Sequence, residues 1–215
     1  MICYPLSLSP LSRPLVRRLG RRDYESTWRE MQRFTQMRTP QTPDELWLLE
    51  HPPVYTLGQA GKPEHRLHDN DIPMLKVDRG GQITYHGPGQ VVLYTLVELA
   101  RYRLKVKEFV YRLEQAVIDL LGAHHLGANR RRGAPGVYVG KAKIAAVGLR
   151  IKKGAAYHGL SLNVGMDLSP YDAINPCGYE ALEVTQTRDC GLTMDVDSAG
   201  EALARHVISQ LDQAR

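Results

Sequence analysis

The chain is poor in cysteine, in aromatic residues other than tyrosine, and in long apolar runs. Its three cysteines, Cys3, Cys177 and Cys190, form an odd set with no CxxC spacing. That excludes a disulfide framework and a cysteine-paired zinc site, so no metal is expected, and it fits a reducing cytoplasm. No apolar stretch approaches the length of a membrane span. In the N-terminal MICYPLSLSPLSRPLVRRLG the basic residues follow a proline-broken apolar stretch, the reverse of a secretory signal. Aromatic residues make up 7% of the chain, too few to interleave with its basic clusters as a nucleic-acid surface requires, and no nucleic-acid partner is expected. GxxxxGK[ST] is missing, as is the GxGxxG of a dinucleotide site, so no nucleotide cofactor is expected from motifs. There is no internal repeat, low-complexity tract or clear linker. These absences leave one soluble catalytic-sized domain over 1–215, with 1–22 as a loosely ordered basic leader.

What is present is a mixture of helical and extended patterns. DYESTWREMQRFTQMR reads as an amphipathic helix ended by the prolines after Thr39. VKEFVYRLEQAVIDLLG places Val106, Phe109, Val110, Leu113, Val117, Leu120 and Leu121 on one stripe, ended at Gly122. SAGEALARHVISQLDQ gives a last helix. ELWLLEHPPVYTLG reads as two short strands around Pro-Pro, and QITYHGPGQVVLYTLVEL as strand residues on both sides of a Gly-Pro-Gly turn. GVYVGKAKIAAVGLRIKKGAAYHGLSLNV reads as three consecutive strands separated by glycines. Strand pairs with interspersed helices predict an α+β fold with a mixed, largely antiparallel sheet.

Two stretches are suited to close backbone approach. DRGGQITYHGPGQ gathers glycines beside Arg79, Thr84, Tyr85 and His86, either a ligand-contacting loop or a glycine-rich hairpin. In GKAKIAAVGLRI, strand alternation sends Lys141 and Lys143 to one face and Ile144, Ala146 and Gly148 to the other. The residues alone do not separate the two lysines. Cys177, in INPCGY, lies between a proline and a glycine at a turn: it is either a nucleophile with a lowered pKa or a small apolar residue. A nearby lysine would favour its thiolate by charge, or take its proton when neutral. The net charge of +5 gathers in RPLVRRLGRRD and ANRRRGAPG, and Arg130–Arg131–Arg132 is either a docking cluster for an acidic protein partner or a solvated, solubilising loop.

RGGQITYHGPGQ, GKAKIAAVGLRI, YHGLSLNV and INPCGY, in this order, resemble the lipoyl(octanoyl) transferase family, the octanoyl-[acyl-carrier-protein]:protein transferases of lipoate biosynthesis. The resemblance runs from about Leu46 to Cys190. It implies a fold similar to the catalytic domain of lipoate and biotin protein ligases, and an acyl-thioester on Cys177 with Lys143 acting beside it. It also implies an acyl pocket formed by Arg79, Gly80, Gly81, Gln82, Ile83, Thr84, Tyr85 and His86, by Ala146, Val147 and Gly148, and by Gly159, Leu160 and Ser161. No cofactor is implied. The implied partners are octanoyl-acyl carrier protein as acidic donor, and apo lipoyl domains of 2-oxo-acid dehydrogenases and the glycine cleavage H protein as acceptors. The alternatives are an ATP-dependent ligase of the same fold, which needs no covalent cysteine, and an acyl-binding module without turnover.

Overall fold

The computed structural model describes residues 13–175 and 182–214. Its elements run β1 (Leu15–Arg21), α1 (Tyr24–Gln36), β2 (Glu45–Glu50), β3 (Val54–Leu57), β4 (Met74–Lys76), β5 (Ile83–His86), β6 (Gln90–Glu98), α2 (Val106–Ala123), β7 (Asn129–Arg131), β8 (Ala134–Val139), β9 (Ala142–Lys152), β10 (Ala155–Asn163) and α3 (Val196–Asp212). Seven strands form one sheet in the order β1-β2-β6-β10-β9-β8-β7, antiparallel except for β1 beside β2; β4-β3-β5 form a smaller mixed sheet. The expected α+β class with a largely antiparallel sheet is the observed one.

Strands β2 and β6 are apolar along nearly their whole length because both faces are covered. Leu46, Leu48, Val91, Leu93 and Val97 pack with Phe109, Leu113, Val117 and Leu120 of α2 and Leu203, Val207 and Leu211 of α3. Trp47, Leu49, Val92, Tyr94 and Leu96 face the other way and meet Met31 of α1. Strand alternation thus splits one apolar run between two cores. Asp23 caps α1, its Oδ1 accepting from Ser26 N at 2.8 Å, and Asp195 caps α3, accepting from Ser198 N at 2.7 Å.

Several expectations are corrected. The strand residues around Gly-Pro-Gly do not form a hairpin: β5 belongs to the small sheet and β6 to the large one, and β2 and β3 divide in the same way. Turn residues fix where a chain bends, but which strand it then pairs with depends on distant partners. The leader over 1–22 is in part a strand, since Leu15–Arg21 is β1. It is docked by ion pairs: Arg17 donates twice to Glu45, both bonds at 2.6 Å, and Arg18 pairs with Glu201. Val106 is exposed at the start of α2 rather than on its buried stripe, and α2 continues one residue past Gly122. Among the described residues, no helix is long and apolar enough to cross a membrane.

Phe109 is fully buried where α2 meets the large sheet. Phe109→Ala is expected to cost about 3–5 kcal/mol of unfolding free energy, read as a lower urea midpoint at unchanged slope; a loss below about 1 kcal/mol would contradict this packing.

Candidate active site

On the face of the large sheet opposite α2 and α3 lies a cleft of about 50 Å³. Its floor is the β9–β10 ladder, in which Ala146 pairs with Ser161, Val147 with Leu160, and Gly148 with Gly159. Arg79, Gly81, Gln82, Ile83, Thr84 and His86 form one wall, and Tyr24, Val92, Tyr94 and His158 close it. Twelve of the fourteen residues expected in an acyl pocket therefore meet around one cavity. The other two do not line it. Tyr85 alternates to the opposite side of β5, where its ring lies 5.6 Å from those of Tyr55 and Tyr171. Gly80 donates its N–H to Leu149 O at 2.9 Å, tying the Arg79 loop to β9. A Cβ at Gly148 would stand 3.0 Å from Arg79 Cδ and 3.3 Å from Gly80 O. The space that its missing side chain leaves is therefore occupied by this loop, which forms a wall of the cleft. Arg79 is buried, with Nη2 donating to Thr56 O at 2.6 Å and Oγ1 at 2.7 Å.

The closed end of the cleft is polar yet holds uncharged imidazoles. His51 Nδ1 meets Arg22 O at 2.7 Å; the carbonyl can only accept, so Nδ1 carries the proton and Nε2 accepts from Tyr94 O–H, also at 2.7 Å. His86 Nδ1 donates to Gln90 Oε1 at 2.7 Å, and Gln90 Nε2 donates to Asn163 Oδ1 at 2.9 Å. His158 Nε2 donates to Asp78 Oδ1 at 2.9 Å, and Trp28, Gln32 and Tyr157 donate to the same carboxylate. Burial works against the Asp78 charge, but the hydrogen bonds from His158, Tyr157 and Gln32 hold its pKa well below the usual carboxylate range. Burial lowers His51 to about 4 and His86 to about 3, and lowers His158 against the opposing pull of Asp78. Sequence reasoning missed Tyr24 and Tyr94, together with Val92 beside Tyr94 on β6, and His158. The first two come from α1 and β6, and nothing local marks them; His158 lay inside a quoted motif, YHGLSLNV, without an assigned role. Among the described residues, no group of three or more His, Cys, Asp or Glu side chains could hold a metal ion.

Lys143 is 5% exposed. Together with Ala145, Asn163, Tyr171 and Val184 it lines a small recess that shares Thr84 and Ala146 with the cleft. Lys141 is separated from it: Lys141 sits in the exposed turn before β9, so strand alternation does not apply to it. The face assignment also changes at Ile144. Val137 pairs with Ala145 and Tyr138 with Lys143, so β9 carries one extra residue there. Ile144 and Ala145 consequently both join the core beneath α2, and Ile144 does not share the face of Ala146 and Gly148. On the other edge, Lys143 N donates to Glu183 O at 2.8 Å and Lys143 O accepts from Thr185 N at 2.9 Å. Cys177 lies outside the described residues.

The α+β fold that carries this cleft, a seven-stranded sheet beside a three-stranded one with packed helices, is shared with lipoate and biotin protein ligases. The bipartite lipoate protein ligase of Thermoplasma acidophilum superposes with a TM-score of 0.75 at 15% identity, over 93% of this chain and 84% of that one. The biotin protein ligase of Aquifex aeolicus superposes with a TM-score of 0.59 at 11% identity, over 93% and 71%. Residues 23–208 match the lipoyl protein ligase A/B catalytic domain, and the chain belongs to that family. It is also similar to the octanoyltransferase of Dechloromonas aromatica, 62% identical over 200 residues that span 93% of this chain and 98% of that one.

The neutral histidines make stability depend on pH. The ordinary value of 6.5 applies when the chain is unfolded, whereas the folded values are about 4 for His51 and about 3 for His86. Their contribution is therefore full above 6.5 and is lost as pH falls below it, because only the unfolded chain takes up the protons. Near pH 5 that difference is about two protons, so unfolding free energy should drop by about 2–3 kcal/mol per pH unit. Urea midpoints from pH 7.5 to 4.5 check this: a His51→Phe, His86→Phe double variant should show a flatter fall, and an unchanged slope would contradict the assignment.

Proposed function

We propose that the chain transfers an octanoyl group from octanoyl-acyl carrier protein to a lysine of apo lipoyl domains, in lipoate-dependent enzymes and the glycine cleavage H protein. The observation that carries this reading is Lys143, buried in a recess that shares Thr84 and Ala146 with an apolar cleft. The similarity to octanoyltransferases supports it. Cys177 is the acyl carrier in this mechanism. Asn175, two residues before Cys177 in the sequence, donates its N–H to His65 O at 2.8 Å, and Glu183, six residues after Cys177, accepts from Lys143 N at 2.8 Å. A cytoplasmic location suits a mechanism that requires a free thiol.

The Cys177 thiolate attacks the thioester carbonyl, the bond from carbonyl carbon to carrier sulfur breaks, and the carrier thiolate takes up the proton of the Lys143 ammonium, leaving Lys143 neutral. The ε-amine of the acceptor then attacks the acyl-enzyme, gives a proton to neutral Lys143, and expels the Cys177 thiolate. An ordinary thiol near 8.5 is only a few per cent thiolate at neutral pH, so the ammonium of Lys143 has work to do in the first step before its neutral form acts in the second. The acyl chain lies along Ala146–Gly148 and Gly159–Ser161. The neutral state of His86 and His158 adds no second cation to the wall beside Arg79, where it would have to be desolvated next to methylene groups. An ATP-dependent ligase is the competing reading for this fold, and it predicts no acyl-cysteine.

Mixing the protein with octanoyl-acyl carrier protein without ATP should add one octanoyl group, mapped by peptide mass to Cys177. Cys177→Ala should abolish both the adduct and turnover, whereas Cys190→Ala should leave them nearly unchanged. Lys143→Arg keeps a positive charge but removes the base. It should retain part of the acylation step and lose most of the transfer to the acceptor amine. Normal turnover by Cys177→Ala would overturn the covalent mechanism.

A further inference from the structure

We infer that Glu114 of α2, acting through the backbone of Gly136, is a positioning residue for Lys143. The inference rests on the catalytic reading of Lys143 and extends it to residues outside the cleft. Gly136 lies in β8, which borders β9 on the side opposite the Glu183–Thr185 segment. It is buried and holds φ at +129°, a backbone region that side-chain-bearing residues rarely enter. A Cβ built on it would stand 2.5 Å from Lys143 Cε, 2.6 Å from Ala145 O and 3.2 Å from Lys143 Nζ. The stem of Lys143 therefore runs across the bare Cα of Gly136, and its ammonium sits 5.6 Å from the centre of the Tyr138 ring two residues further on. Any side chain at 136 would push the lysine out of this seat.

The position of the Gly136 backbone is tied down by a hydrogen bond from outside its own strand. Gly136 N donates to Glu114 Oε1 at 2.8 Å, a bond between a strand and a helix 22 residues apart in sequence. Glu114 is buried, where an unpaired carboxylate would be costly. Its other oxygen accepts from Arg130 Nε at 3.1 Å. Arg130 is fixed in turn: Nη2 donates to Gln115 Oε1 at 2.8 Å and to Tyr111 O at 3.0 Å, and the guanidinium lies 3.7 Å from the Tyr111 ring centre. Arg130 is half-buried in this network and Arg131 donates to Lys141 O at 2.8 Å. Of the basic cluster expected to face a partner, Arg130 is therefore committed to an internal role. The chain of contacts runs from Arg130 to Glu114, to the Gly136 N–H, to the stem of Lys143. It sets where the ammonium points without touching the acyl chain.

The test compares kcat, KM and the pH profile of single-turnover transfer to the acceptor amine for Gly136→Ala, Glu114→Ala, Glu114→Gln and Lys143→Ala, each checked for folding by thermal unfolding. Displacing a reacting group by about 1 Å can cost on the order of 100-fold. Gly136→Ala should therefore lower kcat by about that factor and shift the pH profile, with KM for both substrates within about twofold. Glu114→Ala should do the same to a smaller degree. Glu114→Gln keeps an oxygen acceptor for the Gly136 N–H and should recover most of the lost rate. If Lys143→Ala is inactive while Gly136→Ala and Glu114→Ala keep the parent kcat and pH profile, the positioning role is overturned and the catalytic role of Lys143 stands. If Lys143→Ala is fully active, the catalytic reading itself fails. Should Gly136→Ala not fold, the Glu114 pair decides: rescue by glutamine supports the inference, and equal impairment of both variants, or none in either, overturns it.

Discussion

One extra residue in β9 decides which side of the large sheet Lys143 faces. In regular alternation Lys143 would share the side of Ala145, Val147 and Leu149, whose packing is with the core under α2. A lysine there would have to be desolvated among leucines and valines. The bulge at Ile144 inserts that apolar residue into the core beside Ala145 and transfers Lys143 to the side where Ala146 and Gly148 line the cleft. A one-residue shift moves every following side chain to the opposite face, and bulges are found where a strand must re-aim one of them. The rest of the local structure reads as support for that shift. The Glu183–Thr185 segment takes the backbone bonds that β10 no longer reaches, and Gly136 clears the path of the lysine stem.

The second constraint is the junction between the two sheets. Because β2 and β6 belong to the large sheet while β3 and β5 belong to the small one, the chain crosses between them twice, and the cleft lies along this crossing. The Arg79 loop bridges it: it is bonded to Leu149 O on one side and to Thr56 on the other. Asp78, the residue before it, gathers donors from α1 and β10. The polar groups around the tyrosines and histidines of the cleft are thus bound mainly to one another.

The parts of this arrangement that were legible in the sequence are those coded locally. The stripe from Phe109 to Leu121 gave α2, and the glycine-punctuated strands gave β8, β9 and β10. The separate glycine-rich motifs brought Arg79–His86, Ala146–Gly148 and Gly159–Ser161 to one cavity, apart from Gly80 and Tyr85. What was not legible depends on pairing between distant segments. Period two can be counted along GKAKIAAVGLRI, but a bulge is defined by the strand opposite, so the true face of Ile144 was hidden until β8 was placed. Arg17 and Arg18 looked like free charge because Glu45 and Glu201 lie far away in the chain. Tyr24 and Tyr94 carry no local mark of a binding wall; they become one only when α1 and β6 fold against β10.

The most direct test of the central claim, that the bulge directs Lys143 toward an acyl group held in the cleft, is a crystal structure of the octanoyl-loaded protein. The account predicts a thioester carbonyl within hydrogen-bond reach of Lys143 Nζ, with the chain lying over Ala146–Gly148 and Gly159–Ser161 and its methyl end against Tyr94 and His158. An octanoyl chain bound elsewhere, or a Lys143 ammonium turned away from the thioester, would contradict it.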